Sequence, residues 1–158
     1  MDPERETVQV AIVSLCHGRI KMHDHIYRNQ TEKKPPQFAD DLQKIVSRHG
    51  FIIHNESTME MAQTFGKHGA DVAEGFDLHM IQICKPDKAS ASLQANPERA
   101  ILMPKHVMVF SKDGQTQIRF FHFSQDNIRA MVDDAEFPAS LAGTYGKIIA
   151  MVEEAIAL

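Results

Sequence analysis

The sequence predicts an α+β fold built on one antiparallel sheet, and three observations carry that expectation. Most strand-like apolar runs lie close enough along the chain to pair antiparallel with a neighbour rather than through long crossovers. An Asp113-Gly114 pair stands between two such runs, the pattern of a tight hairpin turn. Phe137, Leu141, Tyr145, Ile148, Val152 and Ile156 recur at four-and-three spacing, which makes an amphipathic helix of about five turns that tolerates Pro138 in its first turn.

Taken in order, residues 8–15 are short and β-branched, and read as a strand buried on at least one face. Residues 16–37 read as a polar, His-rich connection that closes at Lys33-Lys34-Pro35-Pro36. Leu42, Ile45 and Val46 give a helix over 38–49 with Gly50 as its stop, and 51–54 restart as a strand. Ser57 or Thr58 caps a short helix that carries Met59, Met61, Ala62 and Phe65 and ends at Gly66. In the strand 78–84, Leu78, Met80, Gln82 and Cys84 share one face and His79, Ile81 and Ile83 the other. Lys85-Pro86 ends it, and Asp87 caps a helix over 88–94. Asn96-Pro97-Glu98 opens another helical stretch leading to Pro104. The hairpin strands 106–111 and 115–123 follow, and Ser124 caps a helix over 126–132.

A chain of 158 residues reads as one domain, 1–158, with enough surface to bury for a conventional core. Its net charge of −4 lacks the basic footprint of a nucleic-acid or anionic-membrane binder. No apolar run reaches the ~18–20 residues that span a bilayer, and the charged start at Asp2, Glu4, Arg5 and Glu6 has the wrong order for a secretory signal. The expected compartment is the cytoplasm, where Cys16 and Cys84 stay reduced.

Residues 80–86 (Met-Ile-Gln-Ile-Cys-Lys-Pro), Ala95-Asn96-Pro97-Glu98 and Leu102-Met103-Pro104-Lys105, leading into the hairpin, resemble the family catalogued as domain of unknown function 302. The resemblance runs from about Phe38 to about Phe123 and less specifically to the C-terminal helix. It implies a TATA-box-binding-protein-like fold in strand–helix–four-strand–helix order, with a curved antiparallel sheet packed on the long C-terminal helix, and a homodimer. It implies no particular activity. Cys84-Lys85-Pro86 stands where many members carry Gly-Asn-Pro, and the 16–37 connection is longer than usual for the family.

Two groups of side chains carry candidate chemistry. Cys84 sits at a strand end before a helix start, where the helix dipole and Lys85 favour a thiolate able to hold a metal, haem or sulfur species. Met103 is a second soft ligand candidate there. Cys16, His17, His23 and His25 place a thiol and three imidazoles within one connection, a ligand set suited to zinc, copper or haem iron. Hydrolase elbows, phosphate loops and dinucleotide fingerprints are absent from the sequence. The expected function is non-catalytic ligand binding near Cys84. The alternatives are a sulfur-carrier or redox thiol protein that works with a protein partner through Cys84, and a purely structural module.

Overall fold

The computed structural model describes residues 25–158. Its sheet has five antiparallel strands, β1 (Ile26–Thr31), β2 (Ile52–Ile53), β3 (His79–Cys84), β4 (His106–Lys112) and β5 (Gln115–Phe121), in the spatial order β1-β5-β4-β3-β2. Helix α1 (Pro35–Arg48) follows β1, α2 (Met61–Lys67) follows β2, and α3 (Pro86–Ala95) and a 3-10 helix (Pro97–Leu102) join β3 to β4. After β5 come α4 (Gln125–Met131) and the long α5 (Phe137–Ala157). The α+β class, the helix after the first strand, the four further strands and the long C-terminal helix are as expected.

The β4–β5 hairpin turns on Asp113 (φ 55°) and Gly114 (φ 78°), both left-handed, which is the conformation an Asp-Gly pair accepts at low cost. Its register runs from Lys112↔Gln115 to Val107↔Phe120, so Val107, Val109, Ile118 and Phe120 all fall on one face. Ile81 and Ile83 of β3 join them, and α1 and α5 cover this face with Phe38, Leu42, Ile45, Ile148 and Val152. Burying each of these large side chains contributes roughly 1.5–3 kcal/mol, which makes this layer the main source of stability. In α5 the inward positions are those expected, except that Ile156 is only half-buried and Met151 and Ala155 complete the stripe.

Several local boundaries differ from expectation for identifiable reasons. The interval 16–37 is not one connection, because it contains β1 and the first turn of α1. That turn starts at Pro35, where two prolines supply a preset φ and need no donor. Glu60, not Ser57 or Thr58, caps α2, accepting from the amides of Ala62 and Gln63 at 3.0 and 2.9 Å. Helix α3 begins at Pro86 with Lys85 at its N-cap, and Asp87 lies inside the first turn. The strand expected at 8–15 lies outside the described residues.

Side chains tie the layers together at their margins. Lys33 Nζ donates to Asp41 at 2.9 Å and to the Ala155 carbonyl at 2.7 Å, joining the β1–α1 corner to the end of α5. Lys33, and then Lys44, hold the Asp41 carboxyl below its usual range. Asn55 acts as a one-residue extension of the sheet edge: its amide donates to the Met80 carbonyl and its oxygen accepts from the Gln82 amide.

Candidate functional site

The junction of β2, α3, the 3-10 helix and α5 carries two open pockets that meet at Phe51 and Lys85. The smaller, inner one lies between α3 and the start of α5, and the larger, outer one toward the end of α5. The inner one, about 30 Å³, is walled by Phe51, Met103, Phe137 and Leu141 and edged by Ser92 and Thr144. Lys85, Lys88 and Lys105 line it too, and among the described residues no carboxylate or imidazole does. The outer one, about 220 Å³, shares Phe51 and Lys85 with it and adds His49, Lys147 and Glu154.

Each lysine is placed by a different local device. Lys105 follows Pro104 and keeps the inward alternation of Val107 and Val109, so its side chain is buried with the β4 core positions and only 7% exposed. Its carbonyl accepts from the Ile83 amide at 2.9 Å, and its Nζ donates to the Met103 carbonyl at 2.7 Å. Lys88 extends from an exposed position of α3 to donate to Thr144 Oγ1 at 2.8 Å. Lys85 lies over the Phe51 ring, its ammonium 5.4 Å from the centroid. Gly50 (φ 75°) turns the chain into β2, and a Cβ added there would lie 3.8 Å from the Lys85 stem.

Glu154 is the carboxylate among the described residues lining the outer chamber, and the lysines of the inner one have no ion-pair partner among those residues. The ion pairs among the described residues are Lys33–Asp41, Lys44–Asp41, His49–Glu154, Arg99–Asp134 and Arg129–Asp126, and none includes Lys85, Lys88, Lys105 or Lys147. Burial pushes the Lys105 ammonium below the ordinary lysine range; neighbouring Cys84 opposes that shift and Lys88 adds to it. Burial also lowers Lys88, with Lys147 and Lys85 adding repulsion.

The wall of the cleft is held by a second charged group of opposite character. Asp134 accepts from Arg99 Nε at 2.7 Å and Nη2 at 2.9 Å, from Asn96 at 2.8 Å, and from the backbone amides of Glu136 and Phe137 at the start of α5. Arg99 holds the Asp134 carboxyl well below the usual carboxylate range, and Asn96 and the Phe137 amide add to the effect. The same guanidinium donates to Ser92 and lies over the Phe137 ring, fixing two residues that line the inner chamber.

Of the residues singled out from sequence, Lys85 and Met103 meet in this cleft, while Cys84 does not line it. Cys84 is a free, half-buried thiol at the end of β3, beside Lys105 and directly before the N-cap of α3. His25 lies next to His122, whose amide donates to the His25 carbonyl at 2.8 Å. Burial and then His25 lower the His122 pKa. Cys16, His17 and His23 lie outside the described residues. Among the described residues, no three His, Cys, Asp or Glu side chains gather in a way that could hold a metal ion. Sequence reasoning missed Lys88, Lys105 and Thr144. The signal for Lys105 was its parity with Val107 and Val109.

An open antiparallel sheet with α1 and α5 packed on one face, and a lysine-lined cleft at its β2–β3 side, defines an α+β protein of one sheet layer and one helix layer. The family model described as "Domain of unknown function DUF302" matches residues 27–155, and the chain belongs to that family. Among solved structures it is similar to an uncharacterized conserved DUF302 protein from Bacillus stearothermophilus, with a TM-score of 0.64 and 16% identity over 84% of this chain and 98% of that one. No curated protein matches it. No helix among the described residues is long and apolar enough to cross a membrane.

Proposed function

We propose that this protein binds a small organic anion, with the charged head in the inner chamber and the body in the outer one. The supporting observation is that Lys85, Lys88 and Lys105 converge on one cavity with no counter-charge among the described residues. Removing an ammonium from water without a partner costs several kcal/mol, and an anion supplies the missing partner. At an effective dielectric of about 20, a unit negative charge about 4 Å from one ammonium gains about 4 kcal/mol.

Size and charge sort the ligands expected from sequence. An inner chamber of 30 Å³ holds about two waters, enough for the oxygens of a carboxylate and too small for a haem. Three ammonium groups repel a zinc or copper ion from the same place. Isothermal titration with propanoate and with inorganic phosphate tests the reading. At least one should bind, and Lys88→Met should weaken it about tenfold, or ~1.4 kcal/mol. Equal heats from wild type and variant sink it.

A second reading keeps Cys84 as a sulfur-carrying thiol that meets a protein partner, favoured by its place beside Lys105 and at the start of α3. Intact mass before and after reductant tests it, and a species that carries no reductant-labile sulfur counts against it. In either reading the protein acts in the cytoplasm as a homodimer; light scattering at the monomer mass of 17.8 kDa would exclude the dimer.

A further inference from the structure

Lys105 differs from the other lysines of the cleft in its burial and in what holds it. Lys88 reaches in from an exposed helical position and Lys85 lies on an aromatic face, whereas Lys105 is 7% exposed and rises from the inward register of β4. Among the described residues its Nζ has one hydrogen-bond partner, the Met103 carbonyl at 2.7 Å. A neutral amine has two N–H donors and one lone pair, so donation to that carbonyl leaves the lone pair available to the chamber. Among the described residues no carboxylate lines the inner chamber to hold the amine protonated. The titratable groups lining it with Lys105 are Lys88 and Lys85, with Cys84 beside its base and His49, Lys147 and Glu154 in the outer chamber.

We propose that Lys105 captures the oxo group of a short 2-oxo acid as a reversible imine, while Lys85 and Lys88 hold the acid's carboxylate. This inference rests on the anion-binding reading and names its ligand class. A 2-oxo acid puts a carbonyl and a carboxylate on adjacent carbons, the most compact way to address one buried amine and two neighbouring ammonium groups in so small a chamber. In the step, the Nζ lone pair attacks the carbonyl carbon and the π pair moves to oxygen, giving a carbinolamine. The C–O bond then breaks as C=N forms. The two protons of the amine leave with the oxygen as one water, and nothing is oxidised or reduced. Burial favours the neutral amine that this step requires; neighbouring Cys84 opposes that shift and the charge of Lys88 adds to it.

The experiment treats the full chain with pyruvate and sodium borohydride, followed by intact mass and peptide mapping. At neutral pH we expect one reduced adduct on Lys105, at about tenfold the occupancy of exposed lysines such as Lys34 or Lys67. That preference should shrink as pH rises toward the ordinary lysine value, where every amine becomes neutral. Lys105→Met should lose the adduct, and mapping on the wild type stands alone if the variant folds poorly. Labelling spread evenly over surface lysines, or none, overturns the proposal. Lactate, which keeps the carboxylate and lacks the oxo group, separates the two levels. Thermal stabilisation by lactate without a pyruvate adduct sinks the imine alone, and the absence of both sinks the anion reading with it.

Discussion

Two charged groups flank the 3-10 helix, and they solve the problem of burial in opposite ways. Around Asp134 every charge meets its opposite: Arg99 binds it through two nitrogens, Asn96 donates a third hydrogen bond, and two backbone amides complete the shell. Lys105 shares its chamber with two further lysines, the Met103 carbonyl and the hydroxyl residues Ser92, Ser140 and Thr144, and among the described residues no carboxylate lines it. A satisfied network rigidifies a fold, whereas a set of partly desolvated like charges stores unfavourable energy that a ligand can release. The first group is structural, and the second is the one on which the proposed anion site rests. Their contiguity, through Ser92 and Phe137, lets the rigid one hold the walls of the other.

The comparison breaks most visibly at Arg99. Arg99→Met leaves Asp134 without its cation and frees Ser92 and Phe137, and Tm should drop by roughly 5–10 °C in differential scanning calorimetry. If the variant melts with wild type, the contrast between the two groups is false. Next comes acid. The folded carboxyl of Asp134 sits below its unfolded value, so its contribution is complete above the ordinary carboxyl range near ~4 and is lost as pH falls from there. Urea midpoints should decline across that window in wild type, and Asp134→Asn should be less stable at neutral pH with a flatter acid limb.

A smaller effect of opposite sign is expected at Lys105. Its ammonium is penalised in the folded state, so Lys105→Met should raise stability by about 1 kcal/mol at neutral pH, or roughly 3 °C in Tm. The sign follows from the lowered pKa. Above its folded value wild-type Lys105 sheds its proton and the penalty fades, so the gain of the variant should vanish as pH climbs to the unfolded value near ~10.4. A variant less stable than wild type at neutral pH would place Lys105 among the satisfied groups. Smallest of all should be Cys84→Ser, at the cleft margin, with stability within about 0.5 kcal/mol of wild type. Its informative readout is iodoacetamide labelling at neutral pH: a fast phase that survives the substitution does not belong to Cys84.

How legible these regions were in the sequence follows from how each side chain is used. The hairpin, β3 and α5 were readable because apolar residues repeat at the period of the element and because Asp113-Gly114 has few other conformational uses. Strand β1 escaped because Ile26-Tyr-Arg-Asn-Gln-Thr31 is an edge strand whose inward positions include Asn29 and Thr31, which gives no apolar alternation. The site was half legible. Lys85 and Met103 were singled out beside Cys84, and the structure keeps the first two together while setting the thiol outside the cleft. Lys88 and Thr144 were invisible because each reads locally as a surface polar residue, while the parity of Lys105 with Val107 and Val109 marks it as inward without telling what it faces. Only the packing of α3 and α5 at the end of the sheet converges them, and no local spacing encodes that approach.

The spatial order of the strands also bears on how the molecule is assembled in time. β1 completes the sheet by pairing with β5, and the contact between Asn29 and Arg119 spans 90 residues of chain. The β4–β5 hairpin can close in roughly 1–10 μs through its two-residue turn, whereas docking of β1 must wait for that long loop to close. During synthesis β1 leaves the ribosome well before β5, its one strand partner among the described residues, and waits for it until most of the chain has followed. Its polar edge sequence, with Arg28, Asn29 and Gln30 in place of a β-branched run, makes a waiting strand of this kind a poor template for pairing with other nascent chains. The feature that hid β1 from sequence reading is thus the one that makes its late arrival safe.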